Sequence, residues 1–191
     1  MFAKDFRRLA REHAKGHWGI LILVFLIYSL IASALATTGI GALILTGPLT
    51  IGLVSAFLSL VRSGQTKPET LFEGFTENFV DRMLLGILQP LFIALWSLLF
   101  VIPGIVKSYS YAMAPYIMRD NPGISATEAI TRSRQMMRGN KWRLFCLHLS
   151  FIGWVLLSVL TFGILTIFVA PYMQLAVTEF YESIKDAKTA E

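Results

Sequence analysis

Three stretches of this chain carry almost no charge. No Asp, Glu, Lys or Arg occurs from Trp18 to Val61 (44 residues) or from Leu144 to Thr178 (35 residues). From Met83 to Met118 (36 residues) the one exception is Lys107. The blocks occupy 115 of the 191 residues, more than a compact soluble core is expected to hide. Soluble domains carry about 25% charged residues. Here the figure is 15%, with 55% hydrophobic residues and a mean hydropathy of +0.62. The pattern indicates an all-α polytopic membrane protein, and it excludes disorder, a secreted disulfide scaffold and a soluble enzyme.

Each block is too long for one straight helix. At 1.5 Å per residue they would make rods of roughly 52–66 Å, against a hydrocarbon core of about 30 Å. Each also has a breaker near its middle: Thr37-Thr38-Gly39-Ile40-Gly41, Pro103-Gly104 and Thr161-Phe162-Gly163. The expected fold is therefore about six transmembrane helices arranged as three hairpins, near 18–37, 44–62, 83–102, 104–119, 142–161 and 164–181. Helices are expected because lipid cannot satisfy an open sheet edge, and no alternating ten-residue pattern suggests a barrel. Pro90, Pro115 and Pro171 predict kinks.

If every block is a hairpin, 16 of the 17 Lys and Arg residues fall on one side. Positive residues mark the cytoplasmic side, so both termini are expected there. A basic start followed by an apolar run and Ala32-Ser33-Ala34-Leu35-Ala36 has elements of a cleavable signal peptide. Continuation into a second apolar stretch, and the amphipathic basic arm itself, argue for retention. Cys146 lies inside a predicted span and is expected to be a small core residue without a redox role.

The hairpins look like parallel repeats, with units at 1–62, 68–119 and 125–184. Trp96, Pro103-Gly104 and Ala114-Pro115-Tyr116 of the second unit match Trp154, Phe162-Gly163 and Ala170-Pro171-Tyr172 of the third. The first is a weaker copy, with Trp18 and Gly47-Pro48. A charged amphipathic segment precedes each hairpin and is expected to lie as an interface helix on the cytoplasmic face. Phe2, Phe6, Leu9 and His13 mark the first. The second carries Leu71, Phe72, Phe75 and Phe79, beside an acidic stripe of Glu69, Glu73, Glu77 and Asp81. In the third, Ser125 and Glu128 form a capping box, with Ala129, Ile130, Ser133 and Met137 on the apolar side. Trp18, Trp142 and Tyr181 read as interface anchors.

No catalytic constellation can be assembled. His13, His17 and His148 lack metal-ligand spacing, and Gly123-Ile-Ser125-Ala-Thr127 departs from the nucleophile elbow at its fifth position. No acidic residue lies inside the three apolar blocks, which argues against a membrane proton relay. No cofactor and no metal are expected. Lys107 is the one ion inside the apolar blocks. It can snorkel to the interface on its four-carbon stem, or bind an anionic headgroup together with Tyr111, one turn further on. Gln89, His148 and Gln174 are candidates for a polar seam between helices. Arg132, Arg134, Arg138, Lys141 and Arg143 form a basic cluster beside the membrane, suited to anionic lipid or a protein partner. Nucleic acid is not an expected partner, because the net charge of +5 follows from the topology bias.

The run Ile102-Pro-Gly-Ile-Val-Lys-Ser-Tyr-Ser-Tyr-Ala-Met-Ala114 resembles the signature of DUF975, a bacterial family of integral membrane proteins of unknown function. So do Asp120-Asn-Pro-Gly-Ile-Ser125, Gly139-Asn-Lys-Trp142, Leu149-Ser-Phe-Ile-Gly-Trp154 and Ala170-Pro-Tyr172. The resemblance implies a multi-pass protein of the bacterial plasma membrane and supplies no activity or site residues. A looser likeness to the membrane domain attached to some glycerophosphodiester phosphodiesterases favours a lipid-facing role. Three functions are then open: a non-enzymatic module that associates with anionic lipid or a partner protein through its basic cytoplasmic surface, a small transporter or lipid-handling protein, and a membrane enzyme.

Overall fold

The computed structural model describes residues 3–37, 40–76 and 78–189. Phe2, Thr38, Gly39 and Glu77 lie outside the described residues. Among the described residues the chain is helical and has no strand. Helix α1 (Ala3–Ala14) leads into α2 (Trp18–Ala36) and α3 (Ile40–Ser63), and a 3-10 helix follows (Pro68–Phe75). The second apolar block forms α4 (Phe79–Leu99), α5 (Val101–Tyr111) and α6 (Ala114–Asp120). Then come α7 (Ala126–Met136), α8 (Lys141–Leu149), α9 (Ile152–Leu160) and α10 (Thr166–Thr189).

Among the described residues four helical segments are long and apolar enough to cross a membrane: Trp18–Ala36, Ile44–Ser63, Phe79–Leu98 and Lys141–Leu160, the last bending at Ser150-Phe151. The stretch expected to be a fourth span, 104–119, is divided between α5 and α6. Its break at Ala112-Met113 precedes Pro115, whose missing N–H and ring disfavour a continuous helix. The last expected span belongs to α10, which runs on into Glu179, Glu182 and Lys185.

Two local expectations are corrected. The second hairpin turns at Phe100, in extended backbone, and not at Pro103-Gly104. Pro103 sits in the first turn of α5, where its missing N–H costs no hydrogen bond. The acidic stripe of the second amphipathic segment is not one face of a single α-helix. The segment is 3-10 as far as Phe75 and breaks at Asn78, whose φ is +47°, so Asp81 belongs to α4. Three residues per turn cannot keep a four-residue repeat aligned. The third hairpin turns where its breaker lies, with Phe162 at φ +51° and Gly163 at φ +84°.

The molecule divides into two zones. Large exposed apolar side chains crowd the turns of the second and third hairpins, from Leu95 to Val106 and from Ile152 to Phe168. Away from the turns the same charge-free blocks enter a dense protein core. Phe6, Ala10 and Ala14 of α1 meet Phe180, Tyr181 and Ile184 of α10 there, with Phe57 and Leu60 of α3 and Leu71 of the 3-10 helix. Tyr116, Ile117 and Met118 of α6 complete it, with Ala129, Ile130 and Met137 of the third amphipathic segment.

Helix α3 is the axle of this core, and glycine is what lets its neighbours approach. A Cβ on Gly47 would collide with the carbonyl of Arg82 and the backbone of Gly86. One on Gly52 would strike the carbonyl of Leu71, and one on Gly74 that of Pro48. The obstacles are backbone atoms, which no rotamer change relieves. Gly47→Ala and Gly52→Ala are therefore expected to destabilise by about 3 kcal/mol, at the upper end of overpacking, and to lower Tm in detergent by about 6–12 °C. Gly19→Ala, whose Cβ meets nothing within 4 Å, serves as the control and should leave Tm unchanged.

Candidate functional site

The hairpin formed by α4 and α5 leans on α7, and the contact leaves a cleft of about 300 Å³. Phe92 and Trp96 of α4, Lys107 and Tyr111 of α5, and Thr127, Ile130, Thr131 and Arg134 of α7 line it. The sequence placed Lys107 and Tyr111 on one helical face, and the structure brings Arg134 to the same cleft from 27 residues away. Lys107 Nζ lies 4.2 Å from the centre of the Trp96 ring, a cation–π geometry that steadies the ammonium without neutralising it. The charges of Arg134 and Lys141 both act on it. Among the described residues no acidic side chain pairs with Lys107 or Arg134.

The local sequence explains why α7 presents these groups. Ser125 caps the helix, its Oγ accepting from the Glu128 amide at 3.3 Å. Ala129, Ile130, Ser133 and Met137 are all buried, the side expected from their spacing. That register turns Thr127, Thr131 and Arg134 outward.

The rest of the basic cluster does not converge on the cleft. Arg132 donates to Glu128 at 2.6 Å and to Asn121 Oδ1 at 3.3 Å. Arg143 donates to Asn140 Oδ1 at 2.8 Å and lies over the rings of Phe6 and Phe180. Lys141 lines a separate cleft with Ile105, Val106, Tyr109, Trp142 and Phe145. Arg138 is exposed. Nor do the three polar residues suspected of a seam meet. Gln174 donates to Tyr116 Oη, His148 packs on the Tyr109 ring, and Gln89 faces a groove beside Thr46 and Thr50. Tyr181, expected as an interface anchor, is buried instead and stacks on Tyr116.

A partly exposed ionic knot at the base of the core, centred on the shielded carboxylate of Asp120, was not visible as a unit in the sequence. Arg62, at the end of α3, grips Asp120 with two parallel hydrogen bonds of 2.8 and 2.7 Å, and reaches Glu182 at 2.6 Å. Asp120 also accepts from Tyr181 at 2.9 Å and from Lys185 at 2.6 Å. The paired Arg–carboxylate fork fixes direction as well as energy. The four ions lie 58 to 65 residues apart along the chain from Asp120 to its partners, beyond the reach of any local spacing rule. Its one hint was charge at the boundary of three separate apolar blocks. Nearby, His13 Nδ1 lies 2.6 Å from Glu179 Oε1, joining α1 to α10.

The model of one protein family, described as a protein of unknown function (DUF975), matches residues 1–109 and 98–188. The chain belongs to the DUF975 family. No curated protein and no solved structure matches it. In this DUF975 member the matched regions take in the lysine cleft and the ionic knot alike.

The knot carries a pH signature. Burial pushes the Asp120 carboxyl up, but hydrogen bonds from Arg62, Lys185 and Tyr181 overrule it and hold its pKa at about 2. A carboxylate with a depressed folded-state pKa stabilises above its unfolded value and loses that contribution as pH falls. Tm should therefore drop between about pH 4 and pH 2 on account of Asp120. Asp120→Asn should lower stability at pH 7 by about 2 kcal/mol, about 4–8 °C in Tm, and flatten that acid limb.

Proposed function

We propose that this protein is a non-enzymatic module of the bacterial plasma membrane that holds an anionic lipid headgroup on its cytoplasmic face. Three hairpins, with six apolar legs, enter the bilayer from that face, and both termini stay on it. The charge bias of the sequence supports the orientation, and the exposed apolar turns support the embedding.

One observation carries the binding role: two cations without acidic partners among the described residues, Lys107 and Arg134, line one cleft with two threonine hydroxyls and a tryptophan. A phosphodiester needs cations to balance its charge and hydroxyl or amide donors for its remaining oxygens. Its acyl chains need an apolar wall, which Phe92, Trp96 and Ile130 supply. The basic surface as a whole is less selective, because Arg132 is already paired with Glu128.

In nanodiscs, binding should strengthen with phosphatidylglycerol over phosphatidylcholine and weaken as salt rises. Each cation near the surface contributes about 1 kcal/mol, so Lys107→Ala with Arg134→Gln should weaken phosphatidylglycerol retention about 30-fold at low salt. Arg132→Gln should change it little. Equal retention by the double variant, measured by native mass spectrometry, would remove this cleft as the site.

A further inference from the structure

The charge-bearing helices α7 and α1 are fastened part-way along the apolar legs, and this limits how much of each leg lipid can cover. In the second hairpin, Ser133 Oγ of α7 donates to the Ser110 carbonyl at 2.9 Å and accepts from the Met113 amide at 3.2 Å. The outward face of α7 carries Thr127, Glu128, Thr131, Arg132 and Arg134, all exposed. Such a face belongs in water or among headgroups, since each ion at the bilayer centre costs at least about 2.5–3.5 kcal/mol. Yet Ser110 is only ten residues from the turn at Phe100, about 15 Å of helix. Lys107 and Trp96, which share the cleft with Arg134, are closer still.

The third hairpin repeats the arrangement with α1. The Arg7 guanidinium donates to the Ser150 carbonyl at 3.1 Å, and the Arg7 carbonyl accepts from Tyr172 Oη at 2.7 Å. Arg11 lines a cleft with Trp18, Trp154 and Phe168. From Ser150 forward, or Tyr172 back, the turn at Phe162 is twelve or ten residues away, about 15–18 Å. Every tryptophan of the chain thus lines a cleft with a cation: Trp96 with Lys107 and Arg134, Trp18 and Trp154 with Arg11, and Trp142 with Lys141. Amphipathic rings beside cations mark a headgroup boundary. No second aromatic belt marks a far boundary on these hairpins. Their turns expose Phe100 by 71%, Ile102 by 75% and Phe162 by 98%, with no charge among them.

We infer that the second and third hairpins do not cross the bilayer: they dip into its cytoplasmic leaflet and turn back near the midplane, at Phe100 and Phe162. A hydrocarbon core of about 30 Å gives about 15 Å per leaflet, which matches the height of the return leg α5 above Ser110 and of the third hairpin above Ser150 and Tyr172. The backbone permits such a turn. In the third hairpin the Gly163 amide donates to Ser158 O at 2.8 Å, Phe162 to Val159 O, Ile164 to Thr161 O and Thr166 to Gly163 O. In the second, Phe100 donates to Trp96 O and Gly104 to Phe100 O. The third turn thus satisfies its polar groups internally, as a turn inside hydrocarbon must. Only the first hairpin has both of its legs among the segments long and apolar enough to span; the second and third have one such leg each. The inference rests on the reading that the hairpins enter from the basic face, and it places the floor of the lysine cleft inside the leaflet, from which the Lys107 stem reaches up toward the headgroups.

The test uses the full-length chain with Cys146→Ala and single cysteines introduced by Phe100→Cys, Phe162→Cys or, as an aqueous control, Lys67→Cys. The tip side chains are exposed, so neither tip substitution disturbs packing. An impermeant maleimide should label neither tip in intact cells nor in permeabilised cells, while Lys67→Cys labels only after permeabilisation. A fluorophore at either tip, in reconstituted vesicles, should be quenched most by lipids brominated near the ends of their acyl chains. Labelling of a tip from outside intact cells would overturn the inference and leave membrane embedding intact. Labelling of both tips only after permeabilisation, with the protein released by alkaline carbonate, would overturn the embedding itself. Strongest quenching by bromines near the headgroups would also overturn the midplane turn, even if both tips resisted the maleimide.

Discussion

An ion-bearing helix cannot rest in hydrocarbon, and two such helices are bonded to the sides of this protein's apolar legs. Ser133 pins α7 to residues 110–113, and Arg7 pins α1 to Ser150 and Tyr172. These attachments decide where lipid must stop. Above them the legs expose leucine, valine, isoleucine and phenylalanine; below them α6 and the foot of α10 are buried against other helices, while α4 and α8 keep Val80, Leu84, Trp142 and Leu149 exposed. One charge-free block therefore serves two solvents in succession, hydrocarbon at its turn and protein core at its root.

The root is held by close backbone contact and by ions that satisfy one another. Gly47, Gly52, Gly74 and Gly86 let α3, α4 and the 3-10 helix meet without intervening side chains. The Arg62–Asp120–Lys185–Glu182 knot then ties the ends of α3, α6 and α10 together. Its cations are more than a third exposed, so water screens the attraction, and the knot contributes less to net stability than to the choice of which helix ends meet. With those ends fixed, α7 has one place to dock, and Arg134 comes to Lys107.

Much of this was legible in the residues. The three apolar blocks, the glycine turn of the third hairpin, the cap at Ser125 and the buried side of α7 all follow from spacing alone. Lys107 with Tyr111 was visible as a face, because both lie on one helix. What spacing could not supply was anything that depends on distance across the fold. Arg134 and Lys107 share a cleft only because α7 docks against α5, and Arg62 meets Asp120 only because α3 and α6 end together. The same limit hid the depth of the hairpins. Hydropathy measures how apolar a leg is, not whether lipid or protein covers it, so Tyr111–Met118 and Leu175–Ile184 read as spans although most of their side chains are buried in the core. The four-residue acidic repeat misled for a local reason: a proline-led 3-10 segment and a left-handed asparagine replaced the expected α-helix.

The separation between the charged helices and the hairpin turns tests the whole account in one experiment. Spin labels at Phe100→Cys with Arg134→Cys, and at Arg11→Cys with Phe162→Cys, both carrying Cys146→Ala, would be measured by pulsed dipolar spectroscopy in nanodiscs. Legs fastened part-way up predict separations of about 15–20 Å, the height of one leaflet. Separations of about 30 Å or more, the thickness of the full hydrocarbon core, would contradict it.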